Sequence, residues 1–596
     1  MDFTYDVAQQ FASFFKSEKI KPFASLILNR LKEGNICLDI NSELQSNLQL
    51  NETERLQLIS EIELAKEPLV SVSPAIKQPF ILYNHKLYLQ RYFHYETMIL
   101  KRIYDFIEYE KENLIFRTQY LMQNKSFINS LFPNDKSKID WQQIAALSAV
   151  LNNFTVITGG PGTGKTTTVS KILAILYNEN LQLKVALAAP TGKAAARMAA
   201  SLNESNFNID DKINEKFKTL EPSTIHRLLV SRRNSTSFKF NNENPLPFDV
   251  VIVDEGSMID VALFAKLLDA IGPETKLIML GDKDQLASVE AGSLFGDICR
   301  AMENLNEFSE IRINLFKEFL QFNSGDNIGP DHLKPSLKYK DHPLFEHIIE
   351  LKYSHRFSIN EGIGQFSNAI INNDQKEIKK FFDPAFDKQV EIDTANSTDI
   401  FESFIDGFKS YINEKDTLIA LTKLNELRVL CAVRNGVNGL HYLNNKIEDY
   451  LLKQKLIIKS GEFYENRPII VTANFYKLGL FNGDIGILRY DNKGVLKAWF
   501  NVGGQLTSHI PGYLTLVETV FAMTTHKSQG SEFDKVLVVL PNYYSSVLTR
   551  ELLYTAVTRA RKHVTIIAGE DIILKTSEAK VKRGSGLIER FLKFEN

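Results

Sequence analysis

Residues 154–168 read Phe-Thr-Val-Ile-Thr-Gly-Gly-Pro-Gly-Thr-Gly-Lys-Thr-Thr-Thr, and no other stretch limits so tightly what this chain can fold into. From Gly159 it fits G-x-x-x-x-G-K-[ST], a loop whose glycines let backbone N–H groups close around phosphates. Val156 and Ile157 predict a buried strand before it, and the apolar spacing of Val169–Leu176 predicts a helix after it. The loop then ends at a helix N-terminus, where the dipole favours anions. Gly160, Gly162, Thr163, Gly164 and Thr167 are expected to cradle the phosphates, with Lys165 at the β/γ positions and Thr166 on Mg²⁺.

Further strand-then-loop units follow. Lys184–Ala189 runs into Pro190-Thr-Gly-Lys193, Phe248–Val253 into Asp254-Glu-Gly-Ser-Met258, and Thr275–Leu280 into Gly281-Asp-Lys-Asp-Gln285. Alternating strands and helices predict a parallel sheet with the polar loops gathered beyond one edge, beside the phosphates. Asp254 emerges after four apolar β-formers, suited to share Mg²⁺ with Thr166. Glu255 is the candidate to orient and deprotonate water. The Gln285 amide is a candidate γ-phosphate sensor or a loop cap. Upstream, Asp140 predicts the N-cap of a helix, and Gln142 or Gln143 could read an adenine edge or be a solvated helix residue.

At 596 residues the chain exceeds one core, and a prior of about 150 residues per domain predicts three to five. The 70 Lys+Arg against 72 Asp+Glu give a net charge of −2, which argues against a nucleic-acid coating protein but not against a local basic channel. Cys37, Cys299 and Cys431 are too scattered for a zinc or disulfide framework and suit a reducing compartment. The first residues show no signal-peptide pattern, and no run of about 18 apolar residues occurs, so a cytoplasmic protein without membrane contact is expected.

Residues 1–115 carry helical patches at 7–15 and 23–31 and strands at 79–83 and 86–90, joined at Asn84-His85; this predicts a small leading domain, either a docking module or a structural cap. Polar residues between Asn124 and Asp140 predict a linker. Residues 125–345 would form the first motor lobe, including a basic–aromatic hairpin at 228–240, a nucleic-acid wedge or a solvated turn, and an irregular insertion at 316–343. Residues 346–596 would form a second lobe with buried strands at 415–421, 535–540 and 563–568, but no phosphate loop of its own. Within it, punctuated short strands at about 430–515 predict an inserted β-barrel. Arg356 and Arg559 would neutralise charge on a transferred phosphoryl group if the lobes face each other, or serve as structural ion pairs.

Taken in order, Gly159–Thr167, Ala189–Lys193, Ser223-Thr-Ile-His-Arg227, Asp254–Met258, Gly281–Gln285, Ser354-His-Arg-Phe357, Thr524-Thr-His-Lys-Ser-Gln-Gly-Ser-Glu532 and Tyr554-Thr-Ala-Val-Thr-Arg-Ala-Arg561 resemble the motif series of superfamily 1 helicases. The Thr-His-Lys-Ser-Gln-Gly-Ser-Glu form is similar to the branch that moves 5′ to 3′. Asp140-Trp-Gln-Gln, Lys86–Arg91, Gly436-Val-Asn-Gly-Leu440, Asn482-Gly-Asp-Ile-Gly486 and Lys582-Arg-Gly-Ser-Gly-Leu587 resemble the RecD family, the alpha subunits of exodeoxyribonuclease V. Gly256 departs from the usual alanine, and a small residue still fits.

The resemblance implies an α/β fold with two RecA-like parallel-sheet motor domains, a small N-terminal domain and an inserted small β-barrel. It implies ATP and Mg²⁺ between the lobes, held through Gln142, Lys165, Thr166, Asp254, Gln285, Arg356 and Arg559, with Glu255 activating water. Thr191, His226, Thr525 and His526 match DNA-contacting positions, where uncharged donors grip phosphates without reading bases. The implied partners are single-stranded and end-containing double-stranded DNA and RecB- and RecC-like subunits, the latter docked by the leading domain. Two alternatives are a stand-alone helicase and a non-hydrolysing ATP-binding module; a P-loop kinase would leave Arg559 and the second sheet without a task. No nuclease carboxylate cluster is present, so no DNA cleavage by the isolated chain is expected.

Overall fold

The computed structural model describes residues 6–593 apart from 49–55, 134–137, 205–209, 233, 234, 236, 289, 293, 321–332, 337, 339, 359, 360 and 582. The tip of the 228–240 hairpin and half of the 316–343 insertion lie outside the described residues. The hairpin's base is a bridge between Ser231 and Phe238.

Two parallel sheets form the body. In the first, the strands run Ile348–Glu350, Phe154–Thr158, Lys276–Gly281, Val250–Val253, Val185–Ala189 and Ser223–Thr224. Alternate residues of these strands enter separate cores on the two faces: Ile157, Leu187, Ile252 and Ile278 on one, Phe154, Ala186, Val251 and Leu277 on the other. A sheet buried on both faces needs near-continuous apolar strands, which these sequences supply. The first sheet takes its edge strand from 348–350, beyond the expected lobe boundary at 345.

The second sheet orders Val390–Asp393, Ala560–Ile567, Phe533–Val539, Leu427–Cys431 and Ala522–Thr524, again all parallel. The expected strand at 415–421 is instead the helix Thr417–Leu424. Asp416 caps it by accepting from the Ile419 N–H, and Ala420, Leu421 and Leu424 form its buried face while Leu418 and Ile419 stay exposed. The cap and the helical spacing outweigh the β-forming character of Thr-Leu-Ile.

Between these strands lies a five-stranded antiparallel sheet ordered Gln505–His509, Leu496–Val502, Ile485–Tyr490, Pro468–Val471 and Val517–Thr519. Its two edge strands do not pair with each other among the described residues, so this is an open sheet.

At the front of the chain, Asn84 and His85 take φ of +47° and +61°, the paired left-handed geometry that turns Phe80–Tyr83 tightly into Lys86–Leu89. The chain continues directly into a helix of 34 residues, Gln90–Gln123. The position expected to close the leading domain, residue 115, falls inside this helix. Ile99, Leu100, Ile103, Phe106 and Ile107 join the first sheet's core, with the Phe106 ring stacked 6.3 Å from Phe154. The expected linker holds a second short helix, Lys125–Ser130, whose Ile128 is buried together with Leu131 and Phe132. Those apolar residues, sparse among polar ones, anchor the segment. No described helix is long and apolar enough to cross a membrane.

Candidate nucleotide cleft

Strand Phe154–Thr158 is wholly buried, and the chain leaves it through 159–164 into the helix Lys165–Glu179. Gly162 and Gly164 adopt φ of +77° and +84°, the left-handed region that disfavours a side chain. Space is also lacking: a Cβ on Gly162 would lie 2.4 Å from the Arg356 Cβ, and one on Gly164 would lie 2.2 Å from the Gln142 amide nitrogen. The helix has no side-chain cap, so its first N–H groups remain for an anion. Lys165 Nζ donates to the carbonyls of Gly159 at 2.6 Å and Gly160 at 3.1 Å, which poises the ammonium over the loop.

A cavity of about 810 Å³ opens here, lined by residues of 161–167 together with Gln142, Asp254, Glu255, Asp282, Gln285, Arg356 and Arg559. Its volume falls in the range of nucleotide-sized ligand sites. Apart from Gly160, the residues expected to act on the phosphates therefore face one space. Gln142 donates from Nε2 to the Thr163 carbonyl at 3.1 Å and accepts from Lys171 at 3.1 Å. Gln143 is turned into the core, donating to Asn129 Oδ1 at 2.9 Å. The cap on Asp140, which receives the Gln143 N–H, fixes this rotation of the helix.

Asp254 accepts the Glu255 N–H at 2.8 Å, and Glu255 itself sits at φ +53°. Burial, with the neighbouring Glu255 charge, pushes the Asp254 carboxyl up to about 6. A buried carboxylate that lines the same cavity as Thr166, at a helix N-terminus, is a donor set that fits Mg²⁺. Gln285 donates to Asp282 Oδ2 at 3.1 Å, while its Oε1 is buried without a partner among the described residues. That unused acceptor suits a ligand-sensing role.

The arginines differ in origin. Arg559 belongs to the second lobe, and its guanidinium donates to the carbonyls of Thr555 at 3.2 Å and Ser531 at 3.1 Å. Burial pushes its pKa down. Arg356, expected from the second lobe, instead follows the first sheet's edge strand by six residues, on a segment laid against the phosphate loop. His355 N–H donates to the Gly162 carbonyl at 2.8 Å, and Ser354 Oγ to that of Pro161 at 2.9 Å. Arg356 Nη2 donates to Glu532 Oε2 at 2.7 Å, and Nη1 is buried without a partner among the described residues.

Three cleft residues went unassigned in the sequence. Glu532, from the second lobe, ties Arg356 to Arg197 of the first. Asp282 is buried and accepts the Tyr554 hydroxyl at 3.0 Å. Glu532 and Asp282 stand within quoted motifs, yet their roles depend on residues hundreds of positions away, a signal no local pattern carries. The lobes also meet where the Leu286 N–H donates to Thr555 Oγ1 at 2.8 Å.

None of the four expected DNA contacts lines this cavity. His226 is exposed beside the Phe238 ring, Thr191 is half-buried with Oγ1 accepting from the Ala194 N–H, and His526 is half-buried. Thr525 departs from expectation: it is fully buried, with its hydroxyl donating to the Cys431 carbonyl at 3.3 Å, and cannot meet a phosphate in this conformation. A second cavity of about 370 Å³ separates the first lobe from the antiparallel sheet, where the Arg227 guanidinium lies 5.4 Å from the Phe481 ring.

The chain is similar to known proteins over most of its length. Residues 142–291 match the AAA domain family and 519–567 the UvrD-like helicase C-terminal domain. The RecBCD enzyme subunit RecD of Haemophilus influenzae is 30% identical over 95% of this chain and 92% of its own length. The subunit of the same name from Buchnera aphidicola subsp. Schizaphis graminum is 33% identical over 84% of this chain and 83% of its own. The ATP-dependent RecD2 DNA helicase of Deinococcus radiodurans is 27% identical over 74% of this chain and 50% of its own.

Proposed function

Since this chain belongs to the RecD family of RecBCD enzyme subunits, we propose that it drives 5′-to-3′ translocation on DNA within a RecBCD-type exonuclease V. It is an ATP-dependent helicase, and the proposed setting is repair and recombination at double-strand breaks in the cytoplasm. The observation that carries the reading is the single cavity shared by the phosphate loop and by Arg356 and Arg559. A cleft between two lobes, with donors on one and a guanidinium on the other, lets hydrolysis move the lobes relative to each other.

In this reading Gln142 contacts the base, and Gly160–Thr167 with Lys165 hold the phosphates. Thr166 and Asp254 would hold Mg²⁺, which neutralises phosphate charge when bound. Glu255 orients and deprotonates the attacking water. Gln285 senses the γ-phosphate through its unpartnered Oε1, while Arg356 and Arg559 stabilise charge on the transferred group. Thr191, His226 and His526 grip single-stranded DNA, and Thr525 drops out of that set. The proposed division is two RecA-like motor domains, a leading module that runs into the first motor through the helix Gln90–Gln123, and an open antiparallel insert between strands of the second.

The leading domain is proposed to dock a RecC-like subunit beside a RecB-like one. Phe14 at 76% and Ile62 at 72% exposure are large apolar side chains of the kind an interface covers. A stand-alone helicase is less well supported, because the Haemophilus subunit is 30% identical over 95% of this chain and the Deinococcus helicase 27% identical over 74% of it. Unwinding of duplexes with a 5′ or a 3′ tail, wild type against Lys165→Gln, tests the proposal. The expected result is 5′-tail-dependent unwinding that the variant lacks; preference for 3′ tails overturns the polarity, and hydrolysis unaffected by single-stranded DNA overturns the helicase reading.

A further inference from the structure

The sequence Arg583-Gly-Ser-Gly-Leu587 has no part in the cleft described above, yet the structure packs it tightly. After its last long helix, Glu570–Glu578, the chain leaves the second lobe with the Val581 N–H donating to Glu551 Oε2 at 3.1 Å. It then crosses to the first lobe. Arg583 donates from Nη2 to the Ser288 carbonyl at 2.6 Å, and from Nη1 to those of Gly292 at 2.8 Å and Glu290 at 3.2 Å. One planar fork thus satisfies three carbonyls of a loop that has no ladder of its own, a task a lysine point charge performs poorly.

That loop begins three residues after Gln285. Among the described residues the Gln285 side chain bonds only to Asp282, so the backbone around it decides where Oε1 lies. Residues 34–37 of the leading domain close the junction: the Gly292 N–H donates to the Gly34 carbonyl at 2.9 Å, and the Ile36 N–H to that of Gly584 at 2.9 Å. The glycines permit the approach, since a Cβ on Gly584 would lie 2.7 Å from the Cys37 carbonyl and one on Gly586 would lie 1.9 Å from the Tyr88 hydroxyl. Beyond it, Glu96, fully buried, accepts from the Gly586 N–H at 2.9 Å and pairs with Arg590 at 3.0 Å.

We propose that Arg583 is a positioning residue for ATP hydrolysis: the C-terminal tail holds the loop at Ser288, Glu290 and Gly292, and through it the nearby Gln285, in register against the leading domain. The proposal rests on the helicase reading for its catalytic consequence, though not for its geometry.

The full chain carrying Arg583→Ala or Arg583→Lys is compared with wild type and with Glu589→Ala, which removes the tail's ion pair with Lys86 and leaves the Arg583 contacts in place. Two readouts are taken: kcat and KM of DNA-stimulated ATP hydrolysis, and amide exchange of Leu286 and Gly292. Loss of a charged donor fork predicts kcat lower by about 10-fold with KM for ATP within about two-fold, and exchange at both amides faster by about 10-fold, in Arg583→Ala. Arg583→Lys falls between, and Glu589→Ala matches wild type. Wild-type kcat and exchange in Arg583→Ala overturn the proposal, as does an equal loss in Glu589→Ala. If the wild type itself lacks DNA-stimulated hydrolysis, the helicase reading fails, and the exchange rates alone still decide whether Arg583 holds the loop.

Discussion

Replacing Asp254 by Asn should make the nucleotide-free protein more stable while destroying its activity. The carboxyl is pushed up from 3.8 to about 6, first by burial and then by the adjacent Glu255 charge. A folded-state pKa above the unfolded one means that the fold disfavours the ionised form. Stability is then fully present below about pH 4, declines as pH rises through about 6, and stays at its reduced level above that. At about pH 7.5 the full shift corresponds to about 3 kcal/mol, and at about pH 5 to about half of that. The cleft is open to water, which screens the effect and leaves about 1.5 kcal/mol at neutral pH. Asn keeps the shape and an acceptor for the Glu255 N–H without the charge. For a cooperative unit of lobe size this is a rise in Tm of about 3–6 °C, read by thermal unfolding in chelator. The gain should shrink as pH is lowered from about 7.5 to about 5, following the wild-type titration. With Mg²⁺ and ATP present the order reverses, because only the wild type gains binding stabilisation. An Asn variant no more stable than wild type at neutral pH, or a gain that does not vary with pH, would show that Asp254 is not a strained carboxylate awaiting a cation.

Four further outcomes can be checked. Gln142→Ala should raise KM for ATP by about 10-fold with little loss of stability, since it removes a ligand contact worth about 1.4 kcal/mol. Gln143→Ala should leave KM unchanged and lower the unfolding free energy by about 1–3 kcal/mol, because it strips a buried amide that binds Asn129. Glu532→Gln removes the carboxylate that holds both Arg356 and Arg197, and should raise ATP hydrolysis without DNA by about 5- to 10-fold, for one charge-assisted bond fewer to break; unchanged basal turnover refutes this. Glu96→Gln should cost about 3–5 kcal/mol in chemical denaturation, because it leaves the Arg590 guanidinium buried without its counter-charge.

What could be read from the sequence was what local chemistry dictates. The strand, glycine turn and helix around Lys165 follow from neighbouring residues, as do the Asn84-His85 turn and the Asp140 cap. The helix at 417–424 is hidden because Thr-Leu-Ile-Ala-Leu also fits a buried strand, and the cap on Asp416 with the spacing of Ala420, Leu421 and Leu424 distinguishes them. The helix inside the expected linker was hidden by polar residues around a few buried apolar ones. Arg356 lines the cleft, but its origin beside the first sheet depends on strand pairing, which no motif spacing encodes. Glu532 gains its meaning only from Arg197 and Arg356, and Thr525 loses its from a carbonyl 94 positions away.

The helix of 34 residues that begins at Gln90 is a rod of about 51 Å, and its middle is wall rather than bridge. Phe106 lies against Phe154, the residue that opens the phosphate-loop strand. A motor trimmed of its front module therefore has no clean place to be cut: severing at 115 discards the greasy stretch from Ile99 to Ile107 and bares the rear of the catalytic sheet. Whatever grips the front of this protein has hold of the same girder that backs its engine.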